Sequence, residues 1–515
     1  MVECYNRALN GAGSRDGSSL MDGVVSLEPE LIPRTQYRSE LLAWKLAVLF
    51  LSALLFRLIY NSIRELVPDE SYYWVWSRHL SLSYFDHPPM VAYLIRLSTQ
   101  LLGSTEFGVR FPAAMLSSGT VVLATLLVRR LTRSDAATWL AALILLLSPI
   151  VSMTGTLMTP DTPLMFFVML GLTLAVRMFE SPDVSLLKHL GRWLLFGICC
   201  GLAMLSKYTG VLLPAAVGVG VLTSRATWRE FGRPGMYLAA AVAGLIVLPI
   251  FIWNSQHDWA SFRFQFTHGF GDDDVPGPIG FLGFLGAVLL TWTPLFCLLF
   301  AYAVIAAIRA YREQAIGDRL VLLAALLPLL LFGYSSFQKK VEGNWPAMAF
   351  APAVVLVLIW AARDLHNRRR KVIQAMAVAA VFSLFVHVPE VALLLHIRIP
   401  AANEVFGWRS LAAEVDRARD ADESTVVCSN YQNASELSFY LQGQPDVWSI
   451  NQNRRPNAYD YFDGKPDLSK IDHAIFVGGD KNLIRRYFPH NQLTEFKSTH
   501  LGQVIRVRTL SDADR

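Results

Sequence analysis

Charge is scarce in this chain. Of its 515 residues only 17% are charged and 53% are hydrophobic, with a mean hydropathy of +0.36. A soluble domain carries about 25% charged residues, so an ordinary soluble fold is excluded at the outset. Cysteine is scarce too. The five cysteines, Cys4, Cys199, Cys200, Cys297 and Cys428, form no CxxC pair, which removes the usual zinc spacing. Cys428 stands alone in the C-terminal region, without the nearby partner that a structural disulfide needs. There is no P-loop, no GxGxxG after a strand and no GxSxG, so nucleotide use has no motif behind it. The first 33 or so residues are polar, rich in Gly and Ser, and lack the apolar core of a signal peptide. They read as a disordered tail, residues 1–40 lying on the cytoplasmic side.

What the chain has instead is long apolar runs, each near the roughly 20 residues that a bilayer helix needs. They fall at 41–60, 109–128, 137–157, 163–179, 193–206, 209–223, 236–253, 281–307, 320–336, 347–362 and 372–396. That gives about eleven membrane helices by hydropathy, within a range of 11–13. The runs at 193–206 and 209–223 are short and separated only by Lys207 and Tyr208, and 281–307 is long enough to hide a break. The net charge of +5 is modest, but its placement is informative. Arg129, Arg130 and Arg133 follow the second run, Arg225, Arg229 and Arg233 the sixth, Arg309, Arg312 and Arg319 the eighth, and Arg368, Arg369, Arg370 and Lys371 the tenth. Every second loop is basic, as the positive-inside rule expects of cytoplasmic loops, and not a nucleic-acid footprint. An odd number of spans then puts residues 401–515 outside, after a membrane domain at 41–400. In that C-terminal region 424–430, 473–479 and 502–509 read as strands, and 408–421 and 433–441 as helices, a small extracytoplasmic α/β domain.

The other set of loops gathers polar residues on one face. The first outer loop, 61–108, holds Asp69 and Glu70 followed by Tyr72 and Tyr73, then Asp86 and His87 before Pro88-Pro89. Later outer turns hold Thr159-Pro160-Asp161, Lys207-Tyr208-Thr209-Gly210, and Lys339-Lys340 with Glu342, Asn344 and Trp345. Each has a plain structural explanation. Asp69, Glu70 and Asp161 suit helix N-termini; His87 with two prolines suits a rigid turn entering a helix; the aromatics suit the membrane interface. Lys207 is harder to explain that way, because a lysine inside apolar sequence costs about 2.5–3.5 kcal/mol on insertion scales. Lys339 and Lys340 break the positive-inside pattern, which suggests an anionic partner outside. Together the residues supply carboxylates for proton transfer, cations for a leaving phosphate and aromatic faces for a sugar. That chemistry suits group transfer from an anionic, membrane-embedded donor. The acidic run Asp272-Asp273-Asp274 is expected to be a solvated loop, with a divalent-cation site as the alternative; no other metal ligands and no cofactor are indicated.

The segment DESYYWVWSRHLSLSYFDHPPMVAYLIRL in the first outer loop resembles bacterial glycosyltransferases of the GT-C type. These include lipid A aminoarabinose transferases, lipopolysaccharide-core galacturonosyl transferases and protein O-mannosyltransferases, and the likeness runs over roughly 40–400. It implies a helical membrane fold, a sugar donor on a polyprenyl phosphate, inversion at the anomeric carbon, and a glycolipid or glycan acceptor at the periplasmic face of a bacterial inner membrane. It implies catalytic roles for Asp69, with Glu70 beside it, and for Asp161. It implies phosphate binding by the residue before the Pro-Pro pair. Where aminoarabinose transferases carry a lysine there, this chain has His87, only partly charged near neutrality, so Lys207, Lys339 or Lys340 are candidates for the missing charge. Tyr72, Tyr73, Asp86, Tyr208, Glu342 and Asn344 are the expected substrate contacts. Tyr431-Gln432-Asn433-Ala434-Ser435-Glu436-Leu437 also looks like family sequence. Protein O-mannosylation, and a lipid-linked sugar transporter or flippase, are the alternatives.

Overall fold

The computed structural model describes residues 34–181, 184–270, 277–388, 407–419, 425–450, 455–464, 474–478, 492–500 and 503–511. By its contacts the chain divides into Met1–Lys45 and Leu46–Arg515. The described part of the first unit is the N-terminal end of one long helix; the second unit holds everything discussed below.

Eighteen helices are labelled here in chain order. The first loop and its flanks give α1 (Arg34–Ile63), α2 (Pro68–Arg78), α3 (Met90–Leu102) and α4 (Glu106–Thr132). Then come α5 (Asp135–Leu146), α6 (Pro149–Thr156), α7 (Asp161–Glu180), α8 (Leu186–Ser206) and α9 (Leu212–Leu222). The next group is α10 (Gly235–Gln256), α11 (Ala260–Phe270), α12 (Gly277–Trp292), α13 (Pro294–Arg309), α14 (Ile316–Ser335), α15 (Phe350–Ala362) and α16 (Leu365–His387). The C-terminal region adds α17 (Trp408–Ala418) and α18 (Tyr431–Tyr440). Local chemistry sets several starts. Thr105 and Ser134 cap α4 and α5 by accepting from Gly108 N and Ala137 N. Pro68 opens α2 at a position where its missing N–H is no loss, with Asp69 and Glu70 in the first turn.

All eleven apolar runs are helical where described, but they are not eleven equal spans. Seven helices are long and apolar enough to cross a membrane, and up to 10 if each bent pair is one span. The run at 137–157 is broken between α5 and α6 by 59°, and that at 281–307 between α12 and α13 by 104°. The run at 209–223 ends with α9, which turns by 112° into the 3-10 helix Arg225–Gly232. The run at 347–362 makes a short helix buried on nearly every side, including Val354, Val355, Val357 and Leu358 at 0% exposure. Its uniform hydrophobicity reflects burial in protein rather than contact with lipid. Residues 389–396 of the last run, the N-terminal tail before 34 and the acidic run at 272–274 lie outside the described residues.

The C-terminal region is α/β, as expected. Its five strands are β1 (Thr425–Cys428), β2 (Trp448–Ser449), β3 (Ala474–Val477), β4 (Gln492–His500) and β5 (Gln503–Ser511), ordered β2-β1-β3-β5-β4. β1 pairs parallel with β2 and β3; β5 pairs antiparallel with β3 and β4. The short β2 and the hairpin strand β4 were not expected from sequence. The core of this region is continuous with that of the first loop: Leu66, Trp74, Trp76, Ile95 and Val109 pack in one cluster with Trp408, Leu411, Phe439 and Ile475. Trp74 and Phe439 meet edge to face at 5.0 Å. Burial of this kind, about 25 cal/mol per Å² of apolar surface, holds α2 against α18 of the C-terminal region.

Candidate active site

One cavity of about 1060 Å³ collects polar residues of the loops that the arginine pattern assigns to one face. Of the residues singled out in the sequence, Asp69, Tyr72, Tyr73, Asp86, His87, Asp161, Lys207, Tyr208, Glu342 and Asn344 form its wall. Three do not: Glu70, Lys339 and Lys340 are absent from that wall.

Asp69 and Glu70 are neighbours on one helical turn, so their side chains diverge by about 100°. Asp69 is exposed, toward the cavity. Glu70 is fully buried and bound to Arg110, whose Nε lies 2.8 and 3.1 Å from its two oxygens and whose Nη2 lies 2.5 Å from Oε2. Glu70 also accepts from the backbone N–H of Val67 at 3.2 Å and of Met158 at 2.9 Å. Its lone pairs are committed to joining α2, α4 and the turn before α7. The structure thus separates the acid pair into one carboxylate at the cavity and one inside the fold.

Asp161 opens α7, and Lys207 follows the last residue of α8 with extended backbone at φ −157°. Lys207 Nζ lies 2.8 Å from Asp161 Oδ1, and Asn344 Nδ2 donates to Oδ2, also at 2.8 Å. The three residues tie together the start of α7, the end of α8 and the segment after α14. Both side chains of the ion pair are largely buried, 12% exposed for Lys207 and 4% for Asp161, so screening by water is weak. The turn that presents Lys207 depends on Gly210. A Cβ there would stand 2.4 Å from the carbonyl carbon and oxygen of Ala203, backbone that has nowhere to move.

The opposite wall contains a group the sequence reading missed. Arg455, from the C-terminal region, places Nη2 3.0 Å from Asp86 Oδ1 and lies over the Phe264 ring at 4.7 Å. Tyr72 OH donates to Asp86 Oδ2 at 2.7 Å and accepts from the backbone N–H of Ala458 at 2.6 Å. Burial raises the Asp86 carboxyl above the ordinary range, with the Arg455 charge working against it. Burial also pushes the Tyr72 and Tyr73 hydroxyls well above their usual range, Asp86 adding to the shift at Tyr72 and Asp69 to that at Tyr73. Both stay neutral donors at working pH. Tyr431, the first residue of the noted C-terminal segment, lines the cavity too, with its ring 4.6 Å from that of Tyr72. Its hydroxyl is raised by burial to about 12. A dibasic Arg454-Arg455 in a region assigned outside was the available signal for Arg455; the aromatics Phe262 and Phe264 on α11 gave none.

Lys340 pairs instead with Glu342 at 2.9 Å, its side chain 75% exposed. Lys339 is half-buried and faces elsewhere than the wall. Among the described residues no cluster of three His, Cys, Asp or Glu is placed to hold a metal ion.

Several known proteins are similar to this chain in sequence and in fold. The lipid A galacturonosyltransferase RgtD of Rhizobium johnstonii is 24% identical over 310 residues, 57% of this chain and 59% of that protein. The undecaprenyl phosphate-alpha-4-amino-4-deoxy-L-arabinose arabinosyl transferase of Pseudomonas paraeruginosa is 30% identical over 216 residues, 39% of each chain. The matches therefore span less than two thirds of these relatives. In fold, ArnT from Cupriavidus metallidurans superposes with a TM-score of 0.65 at 18% identity, covering 92% of this chain and 100% of that one. Its complex with undecaprenyl phosphate gives the same TM-score, covering 90% and 97%. The chain is a multi-pass membrane protein with the ArnT fold, and its residues 86–253 match the dolichyl-phosphate-mannose-protein mannosyltransferase family model.

Proposed function

We propose that the chain is an inverting glycosyltransferase that moves a sugar from a polyprenyl phosphate to a glycolipid or glycan of the cell envelope, on the periplasmic side of a bacterial inner membrane. The observation that carries this is the single cavity joining Asp69, the Asp161–Lys207 pair, Arg455 and aromatics packed together from distant segments. The named relatives transfer sugars, one of the two named enzymes takes its sugar from undecaprenyl phosphate, and ArnT of C. metallidurans binds that lipid phosphate.

In this reading the acceptor oxygen attacks the anomeric carbon as the bond to the phosphate oxygen breaks. The electron pair leaves with the polyprenyl phosphate, and Asp69 takes the acceptor proton. Asp69 suits that task because it is exposed at the wall. Asp161 has both oxygens engaged, so it acts by holding Lys207 and Asn344 in place. Where the acceptor is itself an ionised phosphate, Asp69 orients it and no base is needed. Lys207 and Arg455 are the cations for the phosphate, with His87 beside them, and Tyr72, Tyr73, Tyr208 and Tyr431 offer faces and hydroxyls to the sugar.

Sugar transfer from a polyprenyl-phosphate donor by purified wild-type protein, and by Asp69→Asn and Lys207→Ala variants that remain folded, is the test. Activity near wild type in both variants removes the proposed site. The family model that matches residues 86–253 favours protein as a second acceptor class, so peptide and lipid acceptors belong in the same assay. Movement of the lipid-linked sugar across a bilayer with no new glycosidic bond would replace the reading with a transporter.

A further inference from the structure

A second cavity, of about 340 Å³, lies at the other end of the helices that build the first. α7 begins with Asp161 at the large cavity and reaches the small one through Phe179; α14 contributes Arg319 to the small cavity and Ser335 to the large one. At 1.5 Å per residue the two are about 24–27 Å apart, close to the roughly 30 Å hydrocarbon thickness of a bilayer.

We propose that this small cavity is a phosphate-binding site for the headgroup of a lipid in the leaflet opposite the active-site cavity. Arg319 is the first reason. It is about nine-tenths buried, stacks over Tyr311 at 5.0 Å, and has no carboxylate partner among the described residues. Its two terminal nitrogens donate to the backbone oxygens of Thr223 at 3.2 Å and Arg312 at 2.9 Å, while its buried Nε–H has no partner. A buried guanidinium without an anion is costly, and orphaned polar groups at a cavity commonly mark an absent ligand.

The charge balance is the second. The one carboxylate in the wall, Glu230, is already surrounded: Arg233 stands 3.4 Å away, Arg229 3.9 Å, His189 Nε2 3.5 Å and Trp193 Nε1 3.3 Å. Two guanidinium groups and an imidazole thus already engage Glu230, and Arg319 is not among its ion-pair partners. Gln314 adds an amide whose buried oxygen has no partner; a flip of that amide presents its NH2 to the cavity instead. The first turn of α14 reaches the same wall through Ile316, with no side-chain cap at Ala315 and with its own acid, Asp318, held by Arg363 at 3.5 Å, leaving its first N–H groups for an anion.

The surroundings favour a lipid over a soluble phosphate. Trp228 and Phe231, on the same 3-10 helix as Thr227 and Arg229, are 51% and 39% exposed, and Leu222 just before it is 61% exposed. Aromatic and apolar side chains bared beside arginines are the pattern of a membrane interface, where anionic headgroups concentrate.

The test uses the full chain purified in detergent and stripped of lipid. Phosphatidylglycerol, diacylglycerol and inorganic phosphate are titrated separately while the thermal unfolding midpoint and lipid adducts by native mass spectrometry are followed. Phosphatidylglycerol is expected to raise the midpoint and to remain bound where diacylglycerol does neither. Arg229→Gln and Gln314→Glu, at partly exposed positions that leave the backbone contacts of Arg319 intact, are expected to weaken that response at least tenfold in half-saturating concentration. A response to inorganic phosphate as strong as that to phosphatidylglycerol would overturn the lipid assignment in favour of a soluble anion. Equal responses in wild type and both variants, or none in wild type, would overturn the site.

Discussion

Lys207 Nζ and Asp161 Oδ1 meet at 2.8 Å across 46 residues of sequence, at the point where the ends of two membrane helices converge. The pair is a structural clamp as well as a source of charge. Removing one partner of a buried pair leaves the other uncompensated, at about 3–5 kcal/mol, while removing both costs less than the sum. Lys207→Met and Asp161→Asn are each expected to lower the unfolding midpoint, and the double variant to lie above the additive value. All three are expected to lose sugar transfer. Thermal unfolding of the four proteins checks the coupling.

Asp69 and Glu70 differ by one residue and are expected to fail in different ways. Asp69→Asn should leave the unfolding midpoint near wild type and reduce turnover by about 10²–10⁴, the usual worth of a general base. Glu70→Gln should lower the midpoint sharply, because Arg110 is then buried without its anion. Turnover measured beside unfolding separates the two. A stable, inactive Glu70→Gln variant would give that residue a catalytic role.

Arg455 is expected to act on donor binding. Arg455→Ala should raise KM for the polyprenyl-phosphate sugar about tenfold or more, with a smaller change in kcat. Arg455→Lys should recover only part, because an ammonium lacks the planar fork that grips an oxyanion from two sides. Initial-rate kinetics over a range of donor concentration gives the answer.

Glu436 makes a pH prediction. It is fully buried on α18, and burial, with Glu70 and Glu65 nearby, raises its carboxyl well above the ordinary range against the opposing pull of the Ser71 hydroxyl. A folded-state pKa above the unfolded value means that the folded state binds the proton more tightly. The stability this contributes is fully present below the unfolded pKa of about 4.3 and is lost as pH rises through the raised folded value. Wild type should therefore lose stability relative to Glu436→Gln as pH climbs, the two converging toward low pH. Unfolding midpoints from acid to mildly alkaline pH test it.

The helices and the polar turns that meet in the cavity were legible because hydropathy acts locally. Every run from 41–60 to 320–336 is helical, and the first-loop motif, Asp161, Lys207 and Asn344 do meet in one cavity. The breaks at Ser148 and Thr293 were less so: a broken helix and a continuous one have the same apolar composition, and only the 59° and 104° bends distinguish them. The 347–362 run shows the same limit, since burial in protein and burial in lipid select the same residues.

Sequence alone thus determined that this is a polytopic membrane protein and which turns bring carboxylates and amines to one cavity. Tertiary structure decided which of two adjacent acids faces the cavity, since a single helical turn aims them differently. It also took Lys339 and Lys340 off the wall and brought Arg455 onto it from the far end of the chain. Those choices depend on contacts between segments hundreds of residues apart, where direction and burial, not local composition, set what a side chain can reach.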